Sequence, residues 1–150
     1  MYRRWRITSF PRYRERTRAM IRILIAIPLI VHGLAHISGF LASWTSLDAG
    51  YANRSWLFSA NVTLDSPAGR IFGLLWLVAA IGLAGSGVGL LLRQEWWPAV
   101  AVLAAAISLV VIVPWGRTVP PGARVGAVFD ALVILVLQTP LRDRLLELVS

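Results

Sequence analysis

The sequence predicts an all-α membrane protein: a four-transmembrane-helix up-and-down bundle with both termini cytoplasmic and a short amphipathic C-terminal helix. Three observations carry that reading. Hydrophobic residues make up 57% of the 150 residues and charged residues only 15%, where a soluble domain carries roughly 25% charged and one of this size cannot bury so much apolar surface. The hydrophobics fall into long runs that are apolar on every face, whereas barrel strands alternate; in lipid that leaves helices, which satisfy their own backbone groups. The cations are also unevenly placed, and they set an orientation.

The first span is expected at about 20–44, following an Arg-rich cytoplasmic segment over 1–18. It is interrupted by Arg22, His32 and His36, and Pro28 should kink it. The second, about 67–92, holds an uncharged run from Ile71 to Leu92 that is about 33 Å long, enough to cross a hydrocarbon core of about 30 Å. Ser66-Pro67 supplies an N-cap followed by proline at the first helical position. The third is expected at about 97–115. The fourth contains Asp130; Val125 to Leu137 is too short to cross, so the span is placed from Pro121 to Thr139. Residues 140–150 form an interfacial tail, with Leu141, Leu145, Leu148 and Val149 on one face. The whole chain, 1–150, reads as a single membrane domain.

All fifteen basic residues are Arg. With the N-terminus inside, eleven of them (Arg3 to Arg22, Arg93, Arg142 and Arg144) lie on the cytoplasmic side and four (Arg54, Arg70, Arg117 and Arg124) outside. Trp44 and Trp115 at the outer interface, and Trp96 and Trp97 at the inner one, are the expected interfacial anchors. The short Arg93-Gln94-Glu95 link makes spans two and three a hairpin. The long link over 45–69 carries Trp56-Leu57-Phe58, apolar enough to lie on the membrane or cap the bundle. Small residues mark helix contacts in lipid: Gly82, Gly85 and Gly89 in the second span, Ala101 and Ala105 in the third, Ala123, Ala127 and Ala131 in the fourth. Gly85 and Gly89 are expected to lie against another helix.

The absence of cysteine excludes disulfides, thiolate zinc sites, Fe–S clusters and thiol redox chemistry. The chemistry-bearing residues are therefore few. His32 and His36 are four apart and share a helix face, and Asp130 is the only acid within a span. Ionisable groups at membrane depth face protein or water. All three occupy similar levels in the outer half of the bundle, so a hydrogen bond from His32 or His36 to Asp130 is expected. Three functional readings attach to this intramembrane cluster. A metal site would use all three as ligands, but two His and one Asp are a thin set. Bis-His haem would need a symmetric dimer, since two imidazoles on one helix face cannot flank one macrocycle. A proton relay or solute site would use Asp130 as acceptor and His as the switch. The plain alternative is a polar clasp fixing span one to span four. No catalytic residue, metal or cofactor is expected.

The Arg-rich start, placed next to a span, implies anionic lipid as partner and topology control, not nucleic acid. Arg3-Arg4 is a twin-Arg pair, but the apolar run begins some fifteen residues later without a convincing cleavage site, so the first helix is read as retained. Asn53-Arg-Ser and Asn61-Val-Thr match a glycosylation sequon that is frequent by chance.

The pattern His32-Gly-Leu-Ala-His36-Ile-Ser-Gly-Phe40, then Ser66-Pro-Ala-Gly-Arg-Ile-Phe-Gly-Leu-Leu-Trp76-Leu, then Trp96-Trp97, resembles small bacterial four-helix integral membrane proteins of unknown function. The resemblance runs from about residue 23 to 136 and implies the four-helix topology in a bacterial inner membrane. Asp130 stands where those proteins carry an amide. The expected function is a non-catalytic accessory or interaction subunit, in a homo-oligomer or a larger membrane complex. The alternatives are a small transporter or proton-linked solute binder using His32, His36 and Asp130, and a cofactor-binding redox subunit in an oligomer.

Overall fold

The computed structural model describes residues 10–47, 50–51, 53–58, 61–115 and 121–150, with the side chains of 10–13, 121 and 123 left out. The expectations resting on Arg3, Arg4, Arg6, Arg12, Arg117, Gly116 and Ala123 therefore lie outside the described residues. What is described is helical: α1 (Phe10–Ala35), α2 (Ile37–Trp44), α3 (Pro67–Leu91), α4 (Trp97–Ile112) with a 3-10 turn at Val113–Trp115, α5 (Pro121–Gln138) and α6 (Leu141–Val149). Three stretches are long and apolar enough to cross a membrane: Arg14–Trp44, Pro67–Leu91 and Trp97–Trp115. A fourth counts if α5 and α6, bent by 92° at the break between them, are taken as one broken span.

Helix α1 starts ten residues before the expected span and carries Arg14, Arg16 and Arg18 on its first turns. Pro28 sits inside it, yet the helix break falls at His36, where the backbone N–H turns back to Gly33 O at 3.0 Å. Helix α3 begins as its sequence dictates, with the Ser66 side chain accepting from Gly69 N. It ends in a tight reversal. Arg93, at φ 57°, occupies the left-handed position that usually falls to glycine, and Gln94 N closes the turn on Gly89 O at 2.8 Å.

Packing follows chain order: α1 and α2 on α3, α3 on α4, α4 on α5, with α6 folded under α1 and α5. We call the end carrying Arg93 the turn end and the end carrying residues 45–66 the loop end. A close backbone contact joins α1 to α3. An ideal Cβ on Gly33 would lie 2.6 Å from Ala84 N and 2.9 Å from Ala80 O, and one on Gly87 would lie 2.6 Å from the Ile30 side chain. Such approach is what small residues permit where packing, not water, drives association. Large apolar side chains such as Ile27, Val31, Val78, Ile81, Val110 and Leu132 are left exposed around the outside, the arrangement a hydrocarbon solvent requires.

Several positions differ from expectation. Gly82 faces the Ala104 Cβ and Gly89 lies under the Trp96 ring, but a Cβ on Gly85 would meet nothing within 4 Å. The α1 contact uses Gly87, two residues on and rotated about 200° around the helix, so Gly85 points away from both neighbours. Trp97 (5% exposed) and Trp115 (0%), expected as anchors, are buried among core residues. Trp97 opens α4 facing the cluster that holds Leu137 and Val149. The 3-10 turn draws Trp115 against Phe72 and Trp76, at ring separations of 4.9 and 5.5 Å. Trp44 and Trp96 are exposed, at 46% and 48%; Trp44 donates to Arg70 O at 3.1 Å with the Arg70 guanidinium over its ring. On α6 the packed residues are Leu145, Leu146 and Val149, while Leu141 and Leu148 stay exposed.

The link between α2 and α3 caps the loop end. Ser55 Oγ donates to Pro114 O at 2.7 Å, and Trp56 donates from its ring to Val113 O at 2.6 Å and from its backbone to Pro114 O at 3.1 Å. Those carbonyls end α4 and have no partner in their own helix; the link supplies one. Tyr51 packs edge-on against Trp76 and shares a hydrogen bond with Ser38 at 3.0 Å. Burial pushes the Tyr51 phenol above its ordinary pKa, partly offset by that bond, so the ring is a neutral plug.

Candidate functional site

The break at His36 builds the site. Its N–H goes to Gly33, and the His36 ring Nδ1 lies 2.9 Å from the His32 carbonyl. A carbonyl only accepts, so Nδ1 carries a hydrogen. That contact aims Nε2 across the bundle at α4, where it meets Ser108 Oγ at 2.5 Å. Ser108 Oγ in turn hydrogen-bonds Asp130 Oδ2 on α5. The other carboxylate oxygen, Oδ1, lies 3.0 Å from His32 Nε2. The ring closes: His32, Asp130, Ser108 and His36 connect α1, α5 and α4.

The site is dry. Asp130 and Ser108 are 0% exposed and His36 4%. The His32 side chain retains 14% exposure. Its ring is wedged between His36, at 4.6 Å and near-perpendicular, and Phe129, at 5.1 Å. Gly126 makes room for it: a Cβ there would lie 2.6 Å from His32 Cε1. Among the described residues, the titratable groups here are His32, His36 and Asp130 alone; α3 and α4 bring none, and the nearby Ser86 hydroxyl turns to Leu83 O in its own helix.

Counting hydrogens constrains the chemistry. Ser108 has one hydroxyl hydrogen and two partners, Nε2 and Oδ2. If His36 were neutral with its proton on Nδ1, and Asp130 ionised, both partners would be acceptors. One of the two contacts would then set lone pair against lone pair. A single extra proton removes the conflict in either of two ways. Held on His36 Nε2, it is donated to Ser108 Oγ, and Ser108 donates to Asp130. Held on Asp130 Oδ2, it is donated to Ser108 Oγ, and Ser108 donates to His36. The two arrangements differ only by hydrogens shifting along the Nε2–Oγ–Oδ2 line. Both leave the cluster without net charge (His32 neutral), which is what a buried intramembrane site favours.

Sequence reasoning brought His32, His36 and Asp130 together, and the structure does place them in one network. It missed Ser108, which sits in a small-residue stretch of α4 and gives no sign of polar pairing, and it missed Gly126. The His32, His36 and Asp130 ligand atoms lie within 4.8 Å of one another, a spacing that one metal ion could bridge. Both His36 nitrogens and His32 Nε2 are already engaged in hydrogen bonds, so an ion would compete with that network. Ala127, named for packing, is half-buried on the same helix. No protein family, no curated protein and no solved structure matches this chain.

Proposed function

We propose that this is a proton-linked multi-pass membrane protein, a small carrier or solute binder of the bacterial cytoplasmic membrane, whose proton is held by His36, Ser108 and Asp130. The observation that supports it is the Ser108 hydroxyl, with its single hydrogen, set within hydrogen-bond reach of both His36 Nε2 and Asp130 Oδ2. A hydroxyl between a base and an acid can relay a proton without either group leaving the dry interior. His32 keeps 14% of its side chain exposed at the edge of the cluster.

The test reads protonation and flux separately. NMR of labelled histidine, with infrared detection of a protonated carboxyl, should find imidazolium at His36 or acid at Asp130 across about pH 5 to 8. The acid signal should disappear in Asp130→Asn. Neutral His36 beside ionised Asp130 would overturn the reading. In reconstituted vesicles, an imposed pH gradient should collapse faster with the wild type than with Asp130→Asn. A second reading, a non-catalytic accessory subunit in which the network is a clasp, is favoured by the closed ring that leaves each of its groups paired. Equal flux from wild type and Asp130→Asn, with the extra proton present, would select it and reject the carrier. Bound metal found in the purified protein in proportion to the chain would reject both.

The orientation proposed with this function puts both termini and the turn end in the cytoplasm, on the eleven-to-four Arg asymmetry. Cysteine introduced at Asn61 should react with an impermeant thiol reagent in cells with a permeabilised outer envelope. Cysteine at Gln94 should react only after lysis. The opposite pattern inverts the topology.

A further inference from the structure

Arg22 is the one basic residue of α1 set among apolar neighbours on both sides, and it is covered, at 6% exposure. Its Nη1 is buried without a hydrogen-bond partner. The charged groups acting on it most are two further cations, Arg93 in the α3–α4 turn and Arg18 one turn earlier on α1. A covered guanidinium with an open donor costs free energy unless an acceptor reaches it. Neighbouring cations raise that cost. Arg22 is therefore a covered cation with an open donor and, among the described residues, no acceptor for that donor, which describes a site missing its anion.

The surroundings say which anion. Arg22, Ile25 and Leu29 fall on one stripe of α1. One turn above Arg22, Ile25 and Leu29 enter a cavity of about 310 Å³ between α1 and α5, with Phe129, Val133, Leu137 and Trp97 among its other walls. All of its lining residues are apolar, and its rim includes Leu24 and Leu132, which are exposed, so it opens sideways. The contact between α1 and α5 is made by side chains above it, at His32 and Asp130. Below it, α6 crosses, with Leu145 forming part of the floor. A covered guanidinium with an open donor, one helical turn below an apolar slot, matches a molecule with a phosphate at one end and a hydrocarbon chain at the other.

We infer that Arg22, Arg93 and Arg18 bind the phosphate of an anionic phospholipid in the leaflet at the turn end, with one acyl chain lying in the cavity between α1 and α5. Guanidinium is suited to the role: it is always charged and pairs phosphate oxygens two at a time. Arg93 sits in the α3–α4 turn at φ 57°, outside either helix. The site is about 15 Å along α1 from His32 and rests on none of the proton chemistry proposed above.

The test is thermal unfolding of the full chain in detergent, read by tryptophan fluorescence, with three additions at equal phosphate concentration. Phosphatidylglycerol should raise the midpoint by roughly 5 °C when well above its dissociation constant. Phosphatidylcholine, with the same phosphodiester and tails but no net charge, should raise it far less. Inorganic phosphate, which has no tail, should do the same. Arg22→Gln should abolish the phosphatidylglycerol rise. Should that variant fail to fold, Arg93→Asn carries the test, since Asn tolerates the positive φ of that turn, and it should lose most of the rise. Val133→Trp, which fills the cavity, should reduce the rise while leaving the Arg groups in place. An equal response to the two lipids, or a full rise retained in Arg93→Asn, overturns the site. A full rise with inorganic phosphate alone overturns the lipid assignment.

Discussion

Replacing Gly33 with leucine should abolish the folded bundle or lower its stability by about 3 kcal/mol or more, the upper range for overpacking a tight contact. A Cβ at Gly33 would meet the backbone of α3, at Ala84 N and Ala80 O, not a side chain able to swing aside. The two helices must separate, and separation reaches well beyond residue 33. It opens the Gly87 contact with Ile30 and moves His32 and His36, which lie on either side of Gly33 along the chain. Gly85→Leu is the control. Nothing lies within 4 Å of that position, so its change should stay within about 0.5 kcal/mol, as for a surface site. Melting of both variants in one detergent checks the pair. Equal losses, or a larger loss at Gly85, would mean that α1 and α3 do not pack as described.

Ser108→Ala is expected to be the most damaging conservative change in the polar network. It removes one oxygen and strands two buried groups, His36 Nε2 and Asp130 Oδ2, neither of which has another partner among the described residues. Each buried polar group left unpaired costs about 1–3 kcal/mol, so a total near 3 kcal/mol is expected. Ser108→Thr keeps the hydroxyl and should restore most of the loss if the added methyl fits. The protonation readout separates coupling from stability. In Ser108→Ala the proton can no longer pass between His36 and Asp130 along the hydroxyl, so the histidine signals of His36 should change. A variant that melts like the wild type and keeps the same histidine signals would show that Ser108 does not bridge them.

Much of the helical layout was legible because it depends on one-dimensional quantities. Runs of apolar residues, the Ser66-Pro67 start and the Gln94 turn each act within a few residues, so α3 and α4 begin and end near their expected places. The last two helices were legible as well: α5 runs Pro121–Gln138 against an expected 121–139, and α6 departs at 92° as the separate tail, because Pro140 ends one helix and the apolar side of the next turns back under α1. The start of α1 was misplaced. Its first turns are charged and look unlike a span, yet helix formation requires only backbone geometry and proceeds through Arg14 to Arg18.

The candidate site was half legible. Depth along two helices can be estimated from sequence, so His32, His36 and Asp130 could be set at one level. Rotation about each helix axis cannot. The missing member, Ser108, sits among Ala104, Ala105 and Ala106, where a small residue reads as packing. The same ambiguity attends Trp97 and Trp115. A tryptophan at a span end fits an interface equally well as a core, and here the 3-10 turn and the loop-end cap decided for the core.

The sequence by itself determined that the chain is helical and apolar enough for a bilayer, because composition and run length set the free energy of leaving water. It also set which few residues carry ionisable chemistry inside the apolar helices. The tertiary structure alone decided which of them meet. The Gly33 contact fixes the rotation of α1, the break at His36 frees the His32 carbonyl, and Gly126 opens the space for the His32 ring. Those three local facts set the Ser108 hydroxyl within hydrogen-bond reach of both His36 Nε2 and Asp130 Oδ2, since hydrogen bonds depend on angstroms and angles that no linear pattern contains.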